Sequence, residues 1–309
     1  LNIMINNIKK YFFYFLRLMK SFLFRPFQTI QWIREDYLKD VAADNYDSKS
    51  KIVWCAGLPK SGTTLIEHIF DNLPYVRLDN SFNRIFNKGT LDHDHGITNE
   101  MFKYLPRNKF TFLKTHTHYE KKYEEIALKN NLKTIISVRD LRDMLISRYY
   151  HIMADDNHWL HKKIKGQSFS DGFIISLKEK NDNDHHNALE YYYFWILNWL
   201  KVSSKKNYLI LWFEDYKKDP KKYINNILKY LDFENFSSSE IEEKIQNNRQ
   251  KNLNLSKNLK THGRLRKTLR KGLVGEWKNL FDDKISEYFY SNIPDKIEKV
   301  DYENNAKKI

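Results

Sequence analysis

The sequence predicts a single α/β domain in which a central parallel sheet is flanked by helices on both faces. Short apolar runs at residues 51–56, 110–113, 134–138 and 208–213 have the length and composition of buried parallel strands. Helix-like or loop sequence follows each run, and this alternation is typical of βαβ units. Residues 190–200 are apolar nearly all round, which predicts a buried helix.

The composition favours a folded chain with an anionic partner. Hydrophobic residues make up 41% and aromatic residues 15% of the 309 positions, which is sufficient for a core. Lys and Arg number 53 against 39 Asp and Glu, which leaves a net charge of +14. This charge fits nucleic acid, a membrane surface or a polyphosphate-like ligand. A lysine-rich composition also raises the charge without any function, so the charge alone selects none of these partners.

Cys55 is the only cysteine, which excludes an internal disulfide. It lies in the first predicted strand, where we expect a core residue and not a nucleophile. A chain without disulfides is compatible with a reducing compartment, and we expect a cytoplasmic location, with membrane association left open.

Three regions follow from the patterning: an N-terminal basic amphipathic extension at residues 1–47, a main domain at 48–295 and a polar C-terminal tail at 296–309. The extension has no uncharged run long enough to span a bilayer. Residues 5–25 fit a basic amphipathic helix on a membrane surface, and they also fit a helix packed on the protein's own core or on a second subunit. A secretory or anchor signal is a third reading, without a convincing cleavage site. Cosedimentation with anionic vesicles separates the first reading from the others.

The loop after the first strand has the spacing of a phosphate-binding loop. Gly57 and Gly62 bound it, and residues 65–70 have the apolar spacing of a helix start. A strand, a glycine-bounded loop and a helix in this order direct backbone N–H groups at one anion. In a Walker A loop a lysine follows the second glycine. Here Thr63 takes that place and Lys60 lies within the loop, which argues against ATP.

Two further motifs stand at strand ends. Lys114 and His116 follow the strand that ends near residue 113, and Arg139 follows the strand that ends at residue 138. Because the carboxyl ends of parallel strands meet at one edge of a sheet, we expect these side chains to point where Lys60 points. Histidine is the usual general base near neutral pH. A surface histidine pair is the alternative for His116.

Arg139 and Ser147 are separated by about two helical turns, so a guanidinium and a hydroxyl can reach one phosphate. The alternative is a salt bridge from Arg139 to Asp143. Residues 213–215 end another strand, and residues 270–277 combine two cations with two glycines, which predicts an anion-binding loop.

Together these stretches resemble the cytosolic-type sulfotransferases, which have a P-loop-type fold and use 3′-phosphoadenosine 5′-phosphosulfate (PAPS). The resemblance covers residues 52–281. Any one motif is weakly specific, but five occur in the family's order and spacing. They are Pro59-Lys60-Ser61-Gly62-Thr63-Thr64, Lys114-Thr115-His116, Arg139 with Ser147, Phe213-Glu214-Asp215, and Arg270-Lys271-Gly272 with Gly275 and Trp277.

The resemblance implies a role for each motif. The 5′-phosphosulfate would be bound by Lys60, Ser61, Gly62, Thr63 and Thr64; the 3′-phosphate by Arg139, Ser147, Arg270, Lys271 and Gly272; and the adenine side by Phe213. His116 would deprotonate a hydroxyl or amine of a small or lipid-like acceptor. Lys60 and Lys114 would stabilise the transferring group, and Ser147 would hold Lys60 away until the acceptor arrives. The resemblance implies no metal requirement and no nucleic-acid partner.

This sequence departs from the family pattern at several positions. Leu65 replaces a Trp, and Phe213 replaces a Tyr, both on the adenine side. In the family's dimer motif two aspartates, at positions 282 and 283, replace Thr-Val, so the oligomeric state stays open.

Two other functions fit parts of this pattern. One is a P-loop kinase or nucleotidase with Asp140 or Asp215 as a Walker B residue, and the other is a basic module that binds nucleic acid or membrane.

Residues 80–108 and 155–187 lack periodicity, which predicts irregular lids or acceptor-binding loops.

Overall fold

The computed structural model describes residues 52–73, 76–78, 96–99, 102, 110–180, 186–202, 207–233, 235–258 and 272–293, together with Met19, Leu23 and Ile30. Apart from those three residues, the predicted N-terminal extension lies outside the described residues. So do the C-terminal tail and the predicted ligands Arg270 and Lys271.

The described strands belong to a five-stranded sheet with the order β2-β3-β1-β4-β5. β2 and β3 run parallel, with Val76 opposite Phe110. The predicted α/β class with a parallel sheet flanked by helices is confirmed. The strands are β1 (Ile52–Gly57), β2 (Val76–Leu78), β3 (Phe110–Thr115), β4 (Lys133–Val138) and β5 (Tyr208–Trp212).

Helices alternate with the strands. They are α1 (Thr63–Asp71), α2 (Lys121–Lys129), α3 (Leu141–Met153), α4 (His161–Ile164), α5 (Phe169–Lys178), α6 (Ala188–Leu200), α7 (Phe213–Lys218), α8 (Pro220–Tyr230), α9 (Ser238–Asn258), α10 (Trp277–Leu280) and α11 (Asp283–Asn292). In the described part of the chain, none of these helices combines the length and apolar character needed to cross a bilayer.

The spacing of α carbons divides the chain into two compact units. The first comprises Leu1–Cys55 and Glu67–Thr134, and the second comprises Ala56–Ile66 and Ile135–Ile309. The division passes through β1 and α1, so each of these two elements contributes residues to both units.

The first unit packs around aromatic residues of β1 and β3. Trp54 is fully buried and donates a hydrogen bond from Nε1 to Thr115 Oγ1 over 2.9 Å. Its ring meets Tyr123 of α2 edge-on, with 6.4 Å between centroids. Phe70 of α1 stacks on Phe112 of β3 at 4.3 Å. These contacts seat α1 and α2 against β3, the strand that carries Lys114.

The second unit is held by an aromatic cluster between α3 and α5. Tyr149 meets Phe169 and Phe173 edge-on, at 5.2 and 5.9 Å between centroids. Phe173 also packs against Phe281, which precedes α11, at 5.7 Å. Such ring pairs add about 0.5–1.5 kcal/mol each beyond the area they bury. The cluster therefore fixes α3, which begins just after Arg139.

Helix α6 matches the buried helix predicted at residues 190–200. Trp195 and Trp199 are fully buried. Asn187 and Glu190 form a capping box at its start, which satisfies two backbone N–H groups of the first turn.

Residues 155–187 differ from the prediction of an irregular segment. That prediction is wrong for α4 and α5. Ser168 caps α5 by accepting a hydrogen bond from the Asp171 N–H at 3.1 Å, and Phe173 and Leu177 are fully buried. The apolar spacing was obscured because Gly172 stands within the helix, where its missing side chain makes room for the Tyr149 hydroxyl.

Two strands also differ in detail from the prediction. β3 continues to Thr115, so Lys114 lies within the strand and not after it. β2 was not predicted, because three residues give too short a pattern to recognise.

Candidate functional site

The segment between β1 and α1 forms a tight turn of the kind that the sequence predicts. Lys60 has a φ of 76° and Gly62 a φ of 109°, so both adopt left-handed backbone conformations. For a lysine this conformation costs about 1–2 kcal/mol, and such strain is often found at functional sites. Thr63 is the first residue of α1, so the helix begins directly after the turn. The amino end of a helix presents backbone N–H groups and the positive end of the helix dipole, so this arrangement suits the binding of an anion.

Two serine hydroxyl groups donate hydrogen bonds to backbone carbonyls of the turn. Ser61 is buried, and its Oγ donates to the Leu58 carbonyl over 2.8 Å. Ser137 of β4 donates from its Oγ to the Ser61 carbonyl over 3.1 Å. These bonds hold the turn on β4.

Arg139 joins three of the predicted motifs within the second unit. It follows β4 directly and is only 4% exposed. Its Nη1 donates to the Lys60 carbonyl over 3.3 Å, and its Nη2 donates to the Leu273 carbonyl over 2.8 Å. The guanidinium also lies 4.7 Å from the centroid of the Phe213 ring, at the start of α7. The turn, the Phe213 motif and the segment 272–275 therefore meet at this one cation.

Asp143 anchors the segment 272–275, a role that the sequence did not reveal. Its carboxylate accepts hydrogen bonds from the Gly275 N–H at 2.6 Å and the Trp277 N–H at 3.1 Å. Burial raises the pKa of Asp143, while these two N–H groups lower it. Helix α3 is capped by Asp140, which accepts from the Arg142 N–H at 2.9 Å. The alternative of a salt bridge from Arg139 to Asp143 stays a prediction, and the charge of Arg139 does lower the pKa of Asp143.

Lys114 and His116 belong to the first unit, whereas Lys60, Arg139 and Phe213 belong to the second. Lys114 forms an ion pair with Glu67 of α1, and each side chain is 15% exposed. His116 follows the end of β3 and is partly buried. The expected approach of His116 to Lys60 stays a prediction.

The remaining predicted ligands have different placements. Thr63 is buried and Thr64 is partly buried, both in the first turn of α1. Ser147 is a buried residue of α3, and its predicted contact with Lys60 stays a prediction. Gly272 has a φ of 61°, a conformation that suits glycine.

The aspartates considered for a Walker B role have other positions. Asp140 forms an ion pair with Arg142 at 2.5 Å, and Asp215 is exposed. Across the described ranges, no group of three or more His, Cys, Asp or Glu side chains is arranged to hold a metal ion.

Glu214 is a second buried carboxyl that the sequence did not single out beyond its motif. Its Oε1 accepts a hydrogen bond from the Asp140 N–H at 3.0 Å, while its Oε2 is buried with no hydrogen-bond partner among the described residues. Burial raises the pKa of Glu214 to about 7, although the Asp140 N–H acts in the opposite direction.

Glu214→Gln should make the protein more stable at pH 8. A carboxyl whose pKa is raised by folding favours the folded state when protonated, so this contribution is lost as pH rises from about 4.5 to about 7. The neutral amide removes that loss, and we expect a gain of roughly 2 kcal/mol at pH 8 and little gain at pH 5. Thermal melts of both proteins from pH 5 to 8 measure it. Glu243→Gln, at an exposed position of α9, is the matched control. If the difference in melting temperature between wild type and Glu214→Gln were the same at every pH, the raised pKa of Glu214 would be contradicted.

Comparison with known proteins places this site in a family. The family model described as "Sulfotransferase domain" matches residues 50–301. Flavonol 3-sulfotransferase of Flaveria bidentis is 24% identical over 311 residues, covering 91% of this chain and 93% of the relative. Sulfotransferase 2A1 of Mus musculus is 26% identical over 277 residues, with coverage of 85% and 90%.

Solved structures show the same fold. Mouse sulfotransferase SULT7A1, crystallised with PAP, has a TM-score of 0.59 at 20% identity and covers 88% of this chain and 93% of its own. Retinol dehydratase in complex with androsterone and PAP has a TM-score of 0.52 at 20% identity, with 86% of each chain covered. Because the family model spans most of the sequence and includes every motif of the site, the chain belongs to the sulfotransferase domain family.

Proposed function

We propose that the chain transfers the sulfuryl group of PAPS to a hydroxyl or amine of a small or lipid-like acceptor. The turn after β1 is the observation that carries this proposal. Its lysine, Lys60, lies within the turn, and Thr63 occupies the position of the Walker lysine. The turn offers N–H groups, hydroxyls and one cation to an anion that carries less charge than a triphosphate. Arg139, at the end of β4, adds a second cation within the same unit.

In this proposal the donor is bound at its two charged ends. The turn and the first residues of α1 hold the 5′-phosphosulfate through Lys60, Ser61, Gly62, Thr63 and Thr64. Arg139 and Ser147 bind the 3′-phosphate, together with Gly272 and its neighbours Arg270 and Lys271. Arg139 would exchange its present bonds to backbone carbonyls for stronger charge-assisted bonds to a phosphate. Phe213, which lies beside that guanidinium, borders the adenine.

The transfer itself needs positioning and positive charge more than covalent catalysis. A ring nitrogen of His116 takes the proton of the acceptor as its oxygen or nitrogen forms a bond to sulfur. The bond from sulfur to the bridging oxygen breaks at the same time, and PAP leaves with the electron pair. Lys60 and Lys114 stabilise the charge that grows on the bridging oxygen and on the sulfuryl group.

A transfer assay tests the proposal. The purified protein, in EDTA, is incubated with sulfur-labelled PAPS and a panel of phenols, flavonols, sterols, sugars and glycolipids. We expect label on at least one acceptor and one PAP released per transfer. Adenosine 5′-phosphosulfate, which lacks the 3′-phosphate contacted by Arg139, should be a poorer donor by about 100-fold. ATP consumption that requires magnesium, without any transfer of label, would instead support the kinase alternative.

A further inference from the structure

Glu67 forms an ion pair with Lys114. The proposed function gives this lysine a catalytic role. Glu67 lies one turn into α1, and Lys114 is the penultimate residue of β3. The Lys114 Nζ donates to Glu67 Oε2, and both side chains are 85% removed from solvent. A pair so far out of water is weakly screened, so each charge depends strongly on the other.

Among the described residues, Lys114 is the cation in contact with Glu67. His68, the next residue of α1, has its pKa lowered by burial, with Lys114 acting in the same direction and Glu67 and Asp71 acting against it. Burial raises the pKa of the neighbouring thiol of Cys55, which therefore stays neutral. At neutral pH the local charge is thus carried chiefly by the Glu67–Lys114 pair and by Asp71, which is exposed.

We propose that Glu67 is a positioning residue that competes with the donor for the ammonium of Lys114 and so sets the affinity for the donor. This inference rests on the proposed function, in which Lys114 contacts the transferring group. A carboxylate holds the Lys114 ammonium far more strongly than a neutral amide does, because both partners of the bond are then charged. The donor must therefore draw Lys114 partly away from Glu67.

Glu67→Gln is the direct test, because glutamine keeps the shape and removes the charge. We expect the dissociation constants of PAP and of PAPS, measured by calorimetry without acceptor, to fall by about 10-fold. The Michaelis constant for PAPS should fall in parallel, while kcat changes by less than about 3-fold. Thermal melting of each variant verifies that it is folded.

The Lys114→Ala background shows whether Glu67 acts through Lys114. In that background Glu67→Gln should change the PAP affinity by less than about 2-fold, because the group for which Glu67 competes is absent. Glu120→Gln is the matched control, since Glu120 pairs with Lys122 in the same unit but is half exposed. We expect wild-type affinity from it.

Two results would overturn the inference while leaving the proposed function in place. One is wild-type affinity in Glu67→Gln when Lys114→Ala still weakens transfer. The other is an equal gain from Glu67→Gln with and without Lys114, which would mean that Glu67 acts as a fixed negative charge. If the wild-type protein bound neither PAP nor PAPS, the proposed function would fail and the inference with it.

Discussion

Replacing His116 with alanine should lower sulfuryl transfer by about 10²- to 10⁴-fold and leave the affinity for PAP within about 3-fold of wild type. The reason is that a general base acts on the acceptor's proton and contributes little to binding of the nucleotide. His116 directly follows β3, the strand that carries Lys114, and both residues belong to the first unit. The turn and Arg139 belong to the second unit. Initial rates with labelled PAPS and calorimetry with PAP measure the two effects separately.

His118→Gln is the matched control, because His118 lies in the same short segment and has no assigned role. It should lose less than about 5-fold in rate. Wild-type turnover by His116→Ala would remove His116 from the mechanism. Equal losses in rate and PAP affinity would show that His116 shapes the nucleotide site instead of serving as the base.

Replacing Gly57 with alanine should destabilise the protein by about 1–3 kcal/mol and abolish PAP binding at concentrations that saturate the wild type. A β-carbon at this position would lie 2.4 Å from Thr63 Cγ2 and 2.8 Å from Ser137 Cβ. Both distances are well below van der Waals contact, so the turn would have to move away from β4. Because the proposed function assigns the anion-binding N–H groups to the turn, this movement should remove the site as well as strain the fold. Thermal melting and PAP calorimetry measure the two losses.

Two further variants test the cause of that loss. Thr63→Ser in the Gly57→Ala background removes Cγ2 and should restore part of the stability; only part, because Ser137 Cβ is attached to the backbone of β4. Gly166→Ala meets no atom within 4 Å but has a φ of 85°, so it should cost about 1 kcal/mol and leave PAP binding unchanged. Normal binding by Gly57→Ala would show that the turn has more room than its contacts indicate.

Sequence reasoning succeeded where one local pattern carried the information. The strand that ends at Gly57 was recognisable as a short apolar run, which agrees with the burial of all six residues of β1. The turn was recognisable because its glycines and Lys60 are adjacent in the chain. Asp219 and Pro220 are a local signal of the same kind, since they cap α8 and occupy its first position.

It failed where a residue owes its role to partners far away in sequence. In the sequence, Asp143 is at most a salt-bridge partner for Arg139, because its bonds to Gly275 and Trp277 join it to residues more than a hundred positions later. Burial raises the pKa of Glu214, and the neighbouring residues in the sequence do not indicate that burial. The same holds for Glu67, whose pairing with Lys114 depends on the packing of α1 against β3.

The sequence by itself determined the family, the α/β class and the identity of the turn, because periodicity and short motifs are written in consecutive residues. The tertiary structure alone decided which charges are paired and which carboxyls are buried. Lys114 meets Glu67, and Arg139 meets backbone carbonyls and an aromatic ring, through contacts that form only when distant strands and helices pack. Desolvation and charge pairing are properties of that packing, so the buried and paired side chains around the candidate site become visible only in the folded chain.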